Sequence, residues 1–183
     1  QVTVQTGWPN HPKGKLFPGY KMKLRQKERD GQHDVQRVAM MLADKTSSIK
    51  RLGVYASFAA SSFINGLSLG RHDAVVCLST PLIGVWTAWA LARLWRGRFI
   101  NVIFDLWPEA ILNAGHMKAN LFYRFIRKID TLNCKCSDVI SVLGQGMKDA
   151  VVDRGISPES VNIIPFWIDT EKIKPMSRDN DWR

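Results

Sequence analysis

The sequence predicts an α/β protein built as a Rossmann-like, doubly wound and mostly parallel sheet, and three observations carry that prediction. Short apolar runs recur at residues 74–78, 99–104, 139–143 and 161–164, a length and composition that suit strands covered on both faces. Longer segments with helical spacing lie between them. Strands that alternate with helices imply right-handed crossovers between parallel neighbours. The third observation is bulk composition: 183 residues, 45% apolar and 23% charged, enough to enclose a core and too apolar for a disordered tail.

Residues 2–6 alternate with period two and read as a strand. A half of this type ordinarily opens with a central strand and a glycine-rich turn aimed at phosphate. No such unit precedes Val2, so one strand is expected to be missing. Gly7-Trp8-Pro9-Asn10-His11-Pro12 is a turn-rich loop at the strand's carboxyl end. Residues 13–31 are basic, carry Phe17, Pro18, Gly19 and Tyr20, and lack helical periodicity; a long binding loop is expected there. Residues 35–42 read as the next strand, and Ser47 or Ser48 as the cap of the helix that follows.

That helix holds the longest uncharged run, residues 52–70, long enough to cross a membrane. Ser57, Ser61, Asn65 and Ser68 nevertheless recur as a polar stripe opposite Leu52, Tyr55, Ala59, Phe63 and Leu67. The pattern is amphipathic, and its apolar side suits either the sheet or a lipid surface. Residues 74–78 form a buried strand, Ser79-Thr80-Pro81 a helix-starting turn, and residues 82–95 a helix with Trp86, Trp89 and Trp95. Helical spacing at Leu121, Phe122, Phe125, Ile129 and Leu132 predicts a further helix over residues 119–136. After the strand at 139–143, Gly144-Gln145-Gly146 turns into a helix over 147–154 that stops at Gly155. The last strand is 161–164, closed by Pro165, and the chain from Ser177 onward reads as frayed.

The strand over 99–104 empties into Asp105-Leu106-Trp107-Pro108-Glu109. In open α/β sheets the ligand crevice lies outside the carboxyl ends of the strands, which makes Asp105 a candidate for chemistry. Equally, it is a turn-former that satisfies the N–H groups of the short helix over 108–113, ahead of Gly115. Glu109 would face the positive end of that helix's dipole. Thr6, Gly7, Asn10, His11 and Thr80 also fall at strand ends and are candidates to line the same crevice.

The net charge is +10, and residues 1–51 hold eleven Lys and Arg against four Asp and Glu. An anionic partner would therefore meet this third: a diphosphate-bearing substrate, an anionic membrane surface or nucleic acid, unless it is a solvated face alone. Interleaved stacking aromatics and nucleic-acid motifs are missing, so no nucleic acid is expected, and a non-catalytic basic α/β module that binds nucleic acid or membrane stands as the alternative reading. Cys77, Cys134 and Cys136 make no disulfide framework, and four scattered histidines have no metal-ligand spacing; no metal is predicted. A dehydrogenase is disfavoured because Gly-x-Gly-x-x-Gly is absent.

Four blocks point further: Thr6-Gly7-Trp8-Pro9-Asn10-His11-Pro12-Lys13-Gly14-Lys15, Gly19-Tyr20-Lys21, Asp105-Leu106-Trp107-Pro108-Glu109, and Ile164-Pro165-Phe166-Trp167-Ile168-Asp169-Thr170-Glu171. In these, and in their order, the chain resembles the family 4 glycosyltransferases, closest to the bacterial N-acetylfucosamine transferases of surface-polysaccharide synthesis. The resemblance implies a GT-B architecture, with residues 1–175 the amino-terminal, acceptor-side domain and 176–183 a tail leading to an absent donor domain. It also implies a metal-independent, retaining transferase that needs no cofactor beyond its nucleotide-sugar donor. The acceptor would be an undecaprenyl-diphosphate-linked or other glycan, and the location peripheral, at the cytoplasmic face of the inner membrane. Asp105 is then the catalytic candidate, with Thr6, Gly7, Asn10, His11, Thr80 and Glu109 binding substrate. Two positions depart from the pattern: Phe104 stands where many relatives carry histidine before the aspartate, and Phe166 where the subgroup has asparagine after proline.

Overall fold

A computed structural model describes residues 1–43, 47–113, 115, 119–176 and 179. The α/β class holds, with the strands divided between two sheets. The first contains β1 (Thr3–Thr6), β2 (Arg25–Asp30) and β3 (His33–Val38) in the order β1-β3-β2. The second contains β4 (Ala74–Leu78), β5 (Arg98–Val102), β6 (Val139–Val142) and β7 (Val161–Ile163) in that order, parallel throughout. β1 also runs parallel to β3. Among the described residues, nothing pairs with the other border of β1 or with the outer border of β4.

β2 corrects the expectation of a structureless loop over 13–31. It pairs antiparallel with β3, Asp30 opposite His33, across a turn in which Gly31 takes φ +57°, a conformation open to glycine. Every residue of β2 is polar or charged, as suits an edge strand wet on both sides. The following strand is shorter than 35–42 and begins earlier, at His33.

The helices form a row against the sheets. α1 (Ser48–Gly66) packs on β1, β3 and α2 (Leu82–Trp95), which packs on β4, β5 and α4 (Leu121–Cys136). α3 (Glu109–Asn113) is one turn after β5, and α5 (Gln145–Val152) packs on β7. Ser47 caps α1 through Oγ, which accepts the Lys50 N–H at 3.4 Å; Asn120 caps α4, its Oδ1 accepting from Tyr123 N–H at 3.0 Å. The frayed tail expected after Ser177 lies outside the described residues except for Asp179.

Phe99 is fully enclosed by Val85, Ala88 and Ala92 of α2, a burial that stabilises by roughly 1.5–3 kcal/mol. A second cluster joins Ile103, Cys134, Ile140, Val142, Val151, Ile156 and Val161 beneath α4 and α5. α1 meets α2 through small residues: Ala59, Ser62 and Gly66 are buried, Thr87 Oγ1 donates to the Ala59 carbonyl at 3.0 Å, and a Cβ on Gly66 would strike Leu91. Within the stripe of Leu52, Tyr55, Ala59, Phe63 and Leu67, Ala59 is buried and Phe63 half-buried, while Leu52, Tyr55 and Leu67 stay exposed, so α1 buries its small residues and leaves the larger ends of the stripe outside. α4 is likewise turned round. Asp130, Asn133 and Cys134 face inward, while Leu121, Phe122, Phe125 and Leu132 face out.

Candidate functional site

The carboxyl ends of β1 and β3, the first half of α1 and the start of α2 enclose an open cleft of about 650 Å³. Thr6, Gly7, Asn10 and His11 line it, so four of the residues singled out from the sequence share one wall. Met40, Arg37, Arg51, Tyr55, Phe58 and Pro81 complete it. The sequence pointed to none of the α1 residues at this place. The available signal was that Arg51 and Tyr55 lie one turn apart at the start of a helix that follows a strand, where side chains reach the crevice.

The loop after β1 is fixed by its own bonds. Trp8 is buried, donates Nε1–H to the Lys23 carbonyl at 3.2 Å and meets Tyr20 edge to face at 6.4 Å. The Arg37 guanidinium lies 5.7 Å above the Tyr20 ring, donates to the Gly7 carbonyl at 3.3 Å and holds the Glu28 carboxylate through Nε at 3.0 Å. Asn10 donates to the Trp8 carbonyl at 2.6 Å while its own carbonyl accepts from Gly14 N–H. Gly7 sits where a Cβ would collide with the Met40 sulfur, which is why the chain can pass so close to the cleft floor.

Thr80 and Asp105 follow the ends of β4 and β5. They do not line the cleft, although Pro81, next to Thr80, does. Thr80 is tied to the aspartate's loop: its Oγ1 accepts from Trp107 Nε1–H at 3.2 Å. Asp105 is exposed, and among the described residues no hydrogen bond or ion pair holds its carboxylate. It caps no N–H of α3 there. Glu109 is occupied, paired with Arg154 at 2.7 Å and Arg127 at 3.1 Å.

Behind this loop lies an ion cluster that the sequence did not signal. Arg154, 2% exposed, holds Asp130, 3% exposed, at 2.6 Å, and its Nη2 also reaches the Trp107 carbonyl at 3.3 Å. Burial pushes the Asp130 carboxyl up against the opposing hydrogen bond and charge of Arg154. Burial also raises two thiols, Cys77 to about 11 and Cys134 to about 12; all three cysteines are free. Among the described residues no three His, Cys, Asp or Glu side chains converge as a metal site.

No established family profile matches the chain. Over 172 residues, 91% of its length, it is 25% identical to a protein of Escherichia coli (strain K12) assigned as a colanic acid biosynthesis glycosyl transferase, WcaI, of which the match covers 42%. Over 112 residues, 61% of its length, it is 23% identical to WbjE of Pseudomonas aeruginosa, assigned as a glycosyltransferase, of which the match covers 26%. The chain thus spans less than half the length of each of these curated relatives, and its distant similarity is to glycosyltransferases.

Proposed function

We propose that the chain is the acceptor-side half of a family 4, GT-B glycosyltransferase, similar to the N-acetylfucosamine transferases. It would move a hexosyl or N-acetylaminosugar unit, with retention, from a nucleotide-sugar to a lipid-linked glycan in cell-surface polysaccharide synthesis. The observation that carries this reading is the cleft at the strands' carboxyl ends, walled by Thr6, Gly7, Asn10 and His11; Asp105 lies outside it on the loop after β5, exposed and without a partner for its carboxylate among the described residues.

Retaining transfer requires the nucleotide diphosphate to leave and an acceptor oxygen to arrive on the same face of the sugar, so positioning and charge stabilisation do most of the work. Asp105 accepts a hydrogen bond from the incoming hydroxyl and takes up its proton as the bond forms. His11 and Arg51 on the cleft wall bring donors to an anionic acceptor, an undecaprenyl diphosphate among them; Arg37, already shared with Glu28, orients the loop. Tyr55 and Phe58 supply apolar wall for a sugar ring or the first prenyl units. The donor belongs to a second half, and no cofactor besides it takes part. The acceptor places the protein at the cytoplasmic face of the inner membrane, on an anionic lipid surface.

The test joins this chain to a donor-binding half and measures transfer to a lipid-linked acceptor. Asp105→Ala should lower kcat by about 10²–10⁴-fold, the usual worth of a positioned acid or base, with an unchanged far-UV spectrum. An unaltered rate refutes the assignment. The 183-residue chain alone should show no transfer.

A further inference from the structure

An amphipathic surface helix ordinarily turns its apolar stripe to the core. In α4 the stripe faces solvent: Leu121 is 80% exposed, Phe122 and Phe125 58%, and Leu132 46%. The helix is locked in this sense from below, because Asp130 is held by Arg154 at 2.6 Å and Asn133 donates to the Leu82 carbonyl at 3.2 Å. Turning the stripe inward would expel both.

The charges around the stripe are of one sign. At 100° per residue, Leu121, Phe125 and Leu132 share a meridian, with Arg124, Lys128 and Lys135 along one flank. All three cations are exposed. The helix's one carboxylate, Asp130, is on the opposite side and buried. Exposed leucine and phenylalanine beside long cationic side chains match the boundary of an anionic bilayer, where rings and aliphatic chains enter the acyl region while lysine and arginine stems carry their charge to the headgroups. The stripe runs eleven residues, about 16 Å along the axis, and starts at the carboxyl side of the sheet, where helices of βα units begin and where the cleft opens.

We propose that the outer face of α4, with Leu121, Phe125 and Leu132 as the inserting residues and Arg124, Lys128 and Lys135 as the headgroup contacts, docks the protein on an anionic lipid surface. The proposal rests on the membrane-side acceptor of the reading above and names the surface that would bring the cleft to it. This contact is separate from the basic residues of the first third and from α1.

The experiment is flotation of the full chain with vesicles of phosphatidylcholine alone and of an equal mixture with phosphatidylglycerol. The chain should float with the anionic vesicles and not with the neutral ones, and added salt should weaken the association. Phe125→Ser with Leu132→Ser, both at exposed positions and so compatible with the fold, should cut the bound fraction about tenfold. Lys128→Glu with Lys135→Glu should do so on anionic vesicles by a similar factor. Flotation unchanged by either pair, or equal on both vesicle types, overturns the proposal. So does a dimer in solution that Phe125→Ser splits, because the face would then be covered by a second copy. Its failure leaves transfer still dependent on Asp105; failure of the transferase reading instead leaves α4-dependent flotation with a rate insensitive to Asp105→Ala.

Discussion

Arg154→Met should be the most damaging exchange of a single charged residue in this fold. The guanidinium is 2% exposed and serves three acceptors: Asp130 at 2.6 Å, Glu109 at 2.7 Å and the Trp107 carbonyl at 3.3 Å. Glu109 keeps Arg127 when Arg154 is lost, so the cost concentrates on Asp130, 3% exposed and left as a lone buried anion. Removing one partner of a buried pair costs about 3–5 kcal/mol. In a chain of this size each kcal/mol moves Tm by about 2–4 °C, so a fall of about 6–20 °C is expected. Urea unfolding followed by far-UV circular dichroism gives the free energy directly. Asp130→Leu added to Arg154→Met should recover most of the loss, since an apolar pair of similar volume is often neutral or better. The folded-state carboxyl of Asp130 already lies above its usual range, so the folded form takes up the proton more readily than the unfolded one. The penalty of Arg154→Met should therefore shrink as pH falls. A single-variant cost below about 1 kcal/mol, or a double variant no better than the single, would refute the account of this cluster.

Four further outcomes follow from local geometry. Gly97→Ala would press a methyl onto the His72 and Asp73 carbonyls, backbone that cannot step aside, and should destabilise by about 1–3 kcal/mol in the same assay. Asn101 is fully buried with neither end of its amide bonded among the described residues, so Asn101→Val should raise stability by about 1–3 kcal/mol, the worth of an unpaired buried polar group. Burial raises the Asp138 carboxyl, but the Phe99 N–H at 2.7 Å and Arg93 at 2.9 Å outweigh it and hold the carboxyl below its usual range. Its contribution is full above the ordinary carboxylate range and lost as pH falls through the lowered value, and Asp138→Ala should flatten the acid limb of a Tm-against-pH curve. Cys134, 1% exposed and with its thiol raised to about 12, should resist a thiol reagent at pH 8 until denaturant is added; prompt labelling of Cys134 in the folded chain would contradict its burial.

The parallel sheet was legible because its strands are written as short continuous apolar runs, and β4 through β7 fall where those runs do. β2 was not, because Arg25–Asp30 contains no apolar residue and hydrophobic periodicity has nothing to register there. The Asp30-Gly31 pair was its one signal, a turn dipeptide between two strands. Half of the candidate site came through as turn chemistry at a strand end, which is how Thr6 to His11 were found. Arg37, Arg51 and Tyr55 did not, since a side chain reaching a cleft from a separate element leaves no local pattern. The orientation of α4 was hidden for a different reason. Spacing shows that a helix has two sides, and which side is turned in is decided by distant partners, Arg154 recruiting Asp130 and the Leu82 carbonyl taking Asn133.

The unpaired borders of β1 and β4 carry a consequence for the molecule in solution. Among the described residues each presents a row of amide and carbonyl groups that no other strand takes up, and Val4, Val76 and Leu78 beside them are exposed, so each can template an extended peptide of suitable alternation. Left vacant, two such rows make the protein adhesive to its own kind, and its tendency to precipitate should climb with concentration. Anything that lays a strand along them would act as a solubiliser.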